Sequence, residues 1–222
     1  MELTYFYQNL NNHFIKSELI NNQNSLKTIC LDFDGVVIDP SEIKSKYLIK
    51  AGYNIKPDNT SRIKCLEENV PENEYSRISS LVARNHIMDS PIKEKSIEII
   101  NWMNNYYDIY IVTSRTELEI DSLISFITYY KIKINGIAYV GNKSKLHALS
   151  MLNPAIYIDD SLNKLLDLVD NNFTGVCSQI AKCKLFLFYN NANKNDVIKE
   201  SLPISPIKNW EDIKLLLKYI KF

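Results

Sequence analysis

The chain has 222 residues, of which 45 % are apolar and 23 % charged, and its acids and bases cancel to a formal net charge of zero. That is enough apolar material for one large domain with an insertion, and the charge balance excludes a globally basic nucleic-acid surface or an acidic solvating tail. Apolar runs fall well short of the ~18 residues that cross a bilayer, and the start Met1-Glu2-Leu3-Thr4-Tyr5 lacks the basic and apolar segments of a secretion signal. These features predict a soluble, cytoplasmic protein with neither a membrane nor a nucleic-acid polymer as partner. The four cysteines, Cys30, Cys65, Cys177 and Cys183, form no C-x-x-C pair, which argues against zinc. A Cys177–Cys183 disulfide runs against a reducing compartment.

Residues 1–26 are polar and Asn-rich, and Leu10, Phe14 and Ile15 share one face of a predicted N-terminal helix. From Thr28 the pattern alternates. Strands are predicted at 28–33, 108–113, 136–140, 155–159 and 173–177, with helices at 116–130, 144–152 and 161–169. Such alternation predicts an α/β fold, a doubly wound and mostly parallel sheet covered on both faces. About 75 residues separate the first two strands, far more than a crossover requires. Helices are predicted there over 41–51, 59–70 and 74–88, and a crossover helix over 91–106 with Pro91 in its first turn. Further on, 184–189 reads as a strand and Trp210–Tyr219 as an amphipathic helix. The division is therefore an N-terminal helical extension (1–26), an α/β core (27–40 and 91–222) and a small helical cap (41–90).

Chemistry concentrates where strands end. The first strand runs into Asp32-Phe33-Asp34-Gly35, the second into Thr113-Ser114-Arg115, and the fourth into Asp159-Asp160-Ser161. Lys143 and Lys145 precede the fourth strand. Parallel strands bring these ends to one rim, where open sheets bind ligands. Four carboxylates there repel one another and call for a cation, and oxygen ligands at a hydrated site suit Mg²⁺. Hydroxyls and an ammonium suit a phosphoryl group. Crowding by other carboxylates predicts a raised proton affinity at Asp34. Arg115 is left with two options: contact with substrate phosphate, or an ion pair with Glu117 or Glu119.

In this order the motifs D-x-D-G-V-V, hydrophobic-T-S-R, K and hydrophobic-D-D-S resemble those of the haloacid dehalogenase (HAD) superfamily, over roughly residues 27–165. The presence of Asp34 resembles the phosphatase branch, and the insertion resembles the helical cap many members carry. The resemblance implies a Rossmann-like core and a Mg²⁺-dependent phosphohydrolase acting on a small phosphorylated substrate such as a nucleotide or sugar phosphate. It implies Asp32 as nucleophile, Asp34 as general acid and base, and Thr113 on a phosphoryl oxygen. Lys145, preferred over Lys143, balances the charge on Asp32. Ser114 and Arg115 are implied at the substrate. The metal is implied on the Asp32 carboxylate, the Asp34 main-chain carbonyl and the pair Asp159 and Asp160, with Asp160 the favoured direct ligand. Arg84 and His86 are candidate cap residues. A phosphomutase of the same fold and a non-catalytic phosphate-binding module are the alternatives. A receiver domain and a D-x-D glycosyltransferase fit the order of elements less well.

Overall fold

A computed structural model of the chain describes residues 5–10, 13–17, 27–141, 143–173, 183–190, 193, 198 and 201–219. The elements are β1 (Tyr5–Leu10), β2 (His13–Ser17), β3 (Thr28–Leu31), α1 (Ser41–Lys50), α2 (Arg62–Glu67), α3 (Glu72–Asn85), α4 (Ser96–Met103), β4 (Asp108–Thr113), α5 (Glu117–Tyr129), β5 (Gly136–Tyr139), α6 (Leu146–Leu152), β6 (Ile156–Asp159), α7 (Leu162–Phe173), β7 (Lys184–Phe188), β8 (Ile204–Ile207) and α8 (Trp210–Tyr219), with a single 3₁₀ turn at Pro57–Asn59.

The strands form one sheet in the order β2-β1-β5-β4-β3-β6-β7-β8. β3 pairs in parallel with β4 on one side and β6 on the other, and the parallel run continues to β5, β7 and β8. Both faces are buried, which is why the central strands are continuously apolar. Alternate residues sort between two cores. Ile29, Leu31, Ile109, Ile111, Ile156 and Ile158 face α4, α5 and α8. Cys30, Tyr110, Val112 and Tyr157 face α6 and α7. The sheet is therefore doubly wound, as the alternation of elements predicts. Its direction of winding reverses at β3, between β4 and β6, and that crevice is the place where open α/β sheets bind ligands.

The N-terminal segment is not a helix. β1 and β2 form a hairpin (Phe6 opposite Ser17, Leu10 opposite His13) that adds antiparallel to β5. The aromatic run Tyr5-Phe6-Tyr7 favours a pleated surface over a helix. Its period is two: Phe6 joins the α6/α7 core and Tyr7 packs on the other. At Gly136 a Cβ would lie 2.5 Å from the Tyr7 carbonyl oxygen, so glycine lets β1 approach β5.

Between β3 and β4 lie α1, α2 and α3, around a small core of Leu48, Ile55, Cys65, Val70 and Ile78. α2 is much shorter than the helix predicted over 59–70, because the 3₁₀ turn occupies its expected start and Ser61 caps it by accepting from the Lys64 N–H. The crossover helix begins at Ser96 rather than Pro91. Residues before it are extended: the Asp39 N–H donates to the Pro91 carbonyl at 2.8 Å and the Lys93 N–H to the Val37 carbonyl at 2.9 Å. The chain thus leaves the core and returns to it along two paired segments.

β8 had no counterpart in the sequence reading. It lies at the sheet edge, where Pro206 costs no ladder bond that a central strand would need. Of the strand predicted at 173–177, Phe173 ends α7, and 174–177, with Cys177, lie outside the described residues. Cys30 is fully buried, as a small core residue should be. Among the described residues no helix is long and apolar enough to cross a membrane.

Candidate active site

Asp32 follows directly on β3 and is anchored by its main chain, whose N–H donates to the Ile158 carbonyl of β6 at 2.8 Å. Its side chain is buried, with Oδ1 accepting from the Phe33 N–H at 2.8 Å. Asp159, the last residue of β6, is also fully buried. With Asp160 these two carboxylates place one oxygen each within 4.8 Å of one another.

Two lysines meet this group. Lys145, immediately before α6 and 3 % exposed, points its Nζ at Asp32 Oδ2 (3.0 Å), Asp159 Oδ2 (2.8 Å) and the Tyr157 hydroxyl (2.9 Å). Asp159 Oδ2 also accepts from the Tyr157 hydroxyl, and its Oδ1 accepts from the Ser161 N–H at 2.9 Å. Both its oxygens are therefore engaged. Burial works against charge on Asp159, but the ammonium groups of Lys145 and Lys164 outweigh it and bring its pKa to about 2. Lys143, the competing lysine, is exposed.

Asp160 is in the opposite state. Burial and the neighbouring Asp159 and Asp32 push it up to about 7. Its carboxylate accepts from Asn190 Nδ2 at 3.0 Å, and Asn193 Nδ2 donates to the Asp160 carbonyl at 2.7 Å. Gly35 lies against it. With φ at +88° and a Cβ that would fall 2.0 Å from Asp160 Oδ2, this position accepts only glycine. The loop after β3 is held from the far side as well, by Trp210 Nε1 donating to the Val36 carbonyl at 2.9 Å.

Asp34 departs from expectation. Its carboxylate is not in the acidic group but in a two-pronged ion pair with Arg115, Nε to Oδ2 and Nη2 to Oδ1, both at 3.0 Å. Burial alone would raise its pKa; the guanidinium more than offsets this and holds Asp34 below the ordinary carboxylate range. The carboxylate whose proton affinity is raised is Asp160, through burial and the neighbouring Asp159 and Asp32. Arg115 pairs with neither Glu117, which binds Lys16, nor Glu119, which accepts from the Thr116 N–H at 2.8 Å. Its remaining nitrogen, Nη1, donates to the Ala83 carbonyl near the end of α3 at 3.0 Å, and Ser122 Oγ donates to the same carbonyl at 2.8 Å. Buried and committed on every side, Arg115 joins core to inserted helices rather than projecting into open space.

Thr113 ends β4, buried, with Oγ1 accepting from the Arg115 N–H at 3.2 Å, and half-buried Ser114 follows it. From the inserted helices, Lys44 of α1 faces the site. Burial opposes its charge, but Tyr75, Asp34 and Asp160 prevail and raise its pKa. His86 is taken up by Tyr47 (2.6 Å) and Asp89 (2.9 Å), and Arg84 is exposed.

Sequence reasoning did not find Tyr157, Lys164, Asn190 and Lys44. Lys164 carried a signal: a lysine in the first turn of a helix, against its dipole, just after two aspartates. Asn190 carried another, since β7 is parallel to β6 and its end reaches the same rim. Tyr157 has no such mark in an apolar strand.

No family model and no curated protein sequence matches this chain. Solved structures do. A haloacid dehalogenase-like family hydrolase from Streptococcus pneumoniae superposes with a TM-score of 0.60 at 17 % identity, covering 86 % of this chain and 99 % of that one. A candidate phosphoglycolate phosphatase from Lactobacillus plantarum gives 0.59 at 16 % identity, covering 87 % and 100 %. A structure described as a dehalogenase gives 0.51 at 8 % identity, covering 89 % and 98 %. Likeness this wide spans more than one chemistry, so it speaks for architecture and not for substrate. From the winding of its sheet to these superpositions, the chain has the fold of the haloacid dehalogenase-like hydrolases.

Proposed function

We propose that this chain is a Mg²⁺-dependent phosphohydrolase that removes phosphate from a small phosphorylated metabolite through an aspartyl-phosphate on Asp32. The observation that carries this reading is Asp32 itself: a buried carboxylate at the reversal point of a parallel sheet, 3.0 Å from the Lys145 ammonium and grouped with two further carboxylates. Asp34 supports phosphoryl transfer over dehalogenation, which on the family resemblance does without a second aspartate.

The donor set fits a hard divalent cation. All three side chains offer oxygen, burial and the neighbouring carboxylates push Asp160 up to about 7, and Gly35 keeps clear the space that a Cβ would take from Asp160. Asp32 and Asp160 would hold the ion together with the Asp34 carbonyl, while Asp159, its oxygens already engaged, orients Lys145 and Asp32. When bound, Mg²⁺ neutralises charge on the phosphoryl oxygens and lets an anionic nucleophile approach.

Asp32 attacks phosphorus; its new P–O bond forms as the ester P–O bond breaks. The leaving oxygen takes a proton from Asp34, which must first exchange Arg115 for the substrate and take up a proton from water or from the substrate's own phosphate. Water then attacks the aspartyl-phosphate while Asp34, again a carboxylate, takes its proton, so Asp32 and inorganic phosphate are restored. The Arg115 pair favours the carboxylate form that this second half requires. Thr113 donates its hydroxyl to a phosphoryl oxygen, Ser114 and Lys145 complete the anion site, and the inserted helices act as a lid that excludes water and selects the substrate.

A panel of phosphorylated metabolites assayed for phosphate release with Mg²⁺ tests this. The parent should turn over at least one member, and Asp32→Asn should lose ~10³-fold or more, the scale of removing a key catalytic group. Undiminished release by Asp32→Asn sinks the nucleophile. Release that survives chelation sinks the metal, and isomer formation without release makes the protein a mutase.

A further inference from the structure

Lys164 is placed where helix physics disfavours it. It lies in the first turn of α7, at the positive end of the helix dipole, where a cation is destabilised. What offsets that cost is the acidic group. Its Nζ lies 3.3 Å from Asp32 Oδ2, the same oxygen that Lys145 approaches at 3.0 Å. The two lysines differ in kind. Lys145 is 3 % exposed with three polar partners, a fixed part of the interior. The Lys164 side chain is 39 % exposed and makes one long ion pair. A long stem with its head partly in water can swing out without leaving a hole.

The charges require something of this sort. Asp32, Asp159 and Asp160 converge within 4.8 Å, and Lys145 spends its contacts on Asp32 and Asp159. One ammonium against three carboxylates leaves two units of negative charge. A divalent ion would neutralise both, and Lys164 supplies one of the two from inside the chain.

We propose that Lys164 is an exchangeable counter-ion of the Asp32–Asp159–Asp160 group, occupying the electrostatic place of the divalent cation and lowering its affinity until the cation displaces the ammonium into solvent. This rests on the reading of that group as a metal site and adds to it a residue that sets how tightly the metal is held.

The test is a Mn²⁺ titration, reading free Mn²⁺ by electron paramagnetic resonance, on the parent, Lys164→Met, Lys164→Arg and Asp160→Asn. Methionine keeps the stem and drops the charge; arginine keeps the charge. Removing a unit charge this close, discounted for its exposure, should tighten Mn²⁺ about tenfold in Lys164→Met. Lys164→Arg should stay within about threefold of the parent, since its charge is retained, and Asp160→Asn should bind far more weakly. Equal or weaker binding by Lys164→Met than by the parent, with circular dichroism unchanged, overturns the proposal and leaves the metal site standing. Failure of parent and Lys164→Met alike to bind one Mn²⁺ overturns both. Binding that appears only in Lys164→Met supports the exchange in its strongest form.

Discussion

Gly35 shows how much of the site hangs on single atoms. Its positive φ permits the turn that follows Asp34, closed by the Gly35 N–H on the Ile38 carbonyl at 2.8 Å, and its missing side chain leaves room for the Asp160 carboxylate. Gly35→Ala should therefore act twice. Backbone strain and the clash should cost about 1–3 kcal/mol of stability, read by urea unfolding, and phosphate release should fall with the displacement of Asp160. A variant as stable and active as the parent would show that the loop has another way to turn. At this scale the sequence was uneven. Asp32 and Asp159 were legible because each stands at the end of a strand of buried isoleucines, and Lys145 because it opens a helix at the same rim. The partner of Asp34 was not, because Arg115 is 81 residues away and meets it only through the pairing of β3 with β4. Local charge suggested Glu117 or Glu119 instead, but Glu119 closes the capping box of α5 and Glu117 binds Lys16 of the hairpin.

Among elements, the contact between α3 and the core matters most. The Ala83 carbonyl takes hydrogen bonds from both Arg115 and Ser122, so the inserted helices and Asp34 share one guanidinium. Arg115→Met would strand Asp34 without its partner and should cost about 3 kcal/mol, the lower end for a broken buried pair because Asp34 is partly exposed. Hydrogen exchange should quicken over 72–85. Arg115→Lys, which keeps charge but not the fork, should fall between the two. Exchange in α3 unaffected by either change would mean that other contacts carry the docking. The hairpin shows why some elements escape a sequence reading. Residues 1–26 are polar and Asn-rich around a short aromatic run, and what seats that run as a strand is the free edge of β5 and the absent side chain at Gly136, neither visible locally. The parallel strands needed no such help, because burial on both faces writes them as apolar runs.

The whole molecule should carry two opposing pH dependences. Asp34, Asp39 and Asp159 sit below their ordinary values, Asp159 at about 2. Their stabilisation is complete above the unfolded value of about 4 and is lost as pH falls through the folded values. Asp160, raised to about 7, works the other way. Between about pH 4 and 7 the unfolded chain binds fewer protons than the folded one, so stability falls as pH rises through that window. In chelator, the thermal midpoint should decline from pH 5 to 8, and Mg²⁺ should restore it most at pH 8. Asp160→Asn should flatten the decline; an unchanged slope would place its origin elsewhere.

The paired segments at Val37–Asp39 and Pro91–Lys93 bear on how such a protein changes over time. Since the chain departs and returns at hydrogen-bond distance, whatever lies between is a closed parcel whose length the sheet does not register, and enlarging such a loop twofold costs only about 0.6 kcal/mol. Under the proposed function, the carboxylates at the sheet and the inserted helices above them can therefore mutate on separate schedules. A change of substrate would then need exchange of the parcel, with the strands beneath it kept.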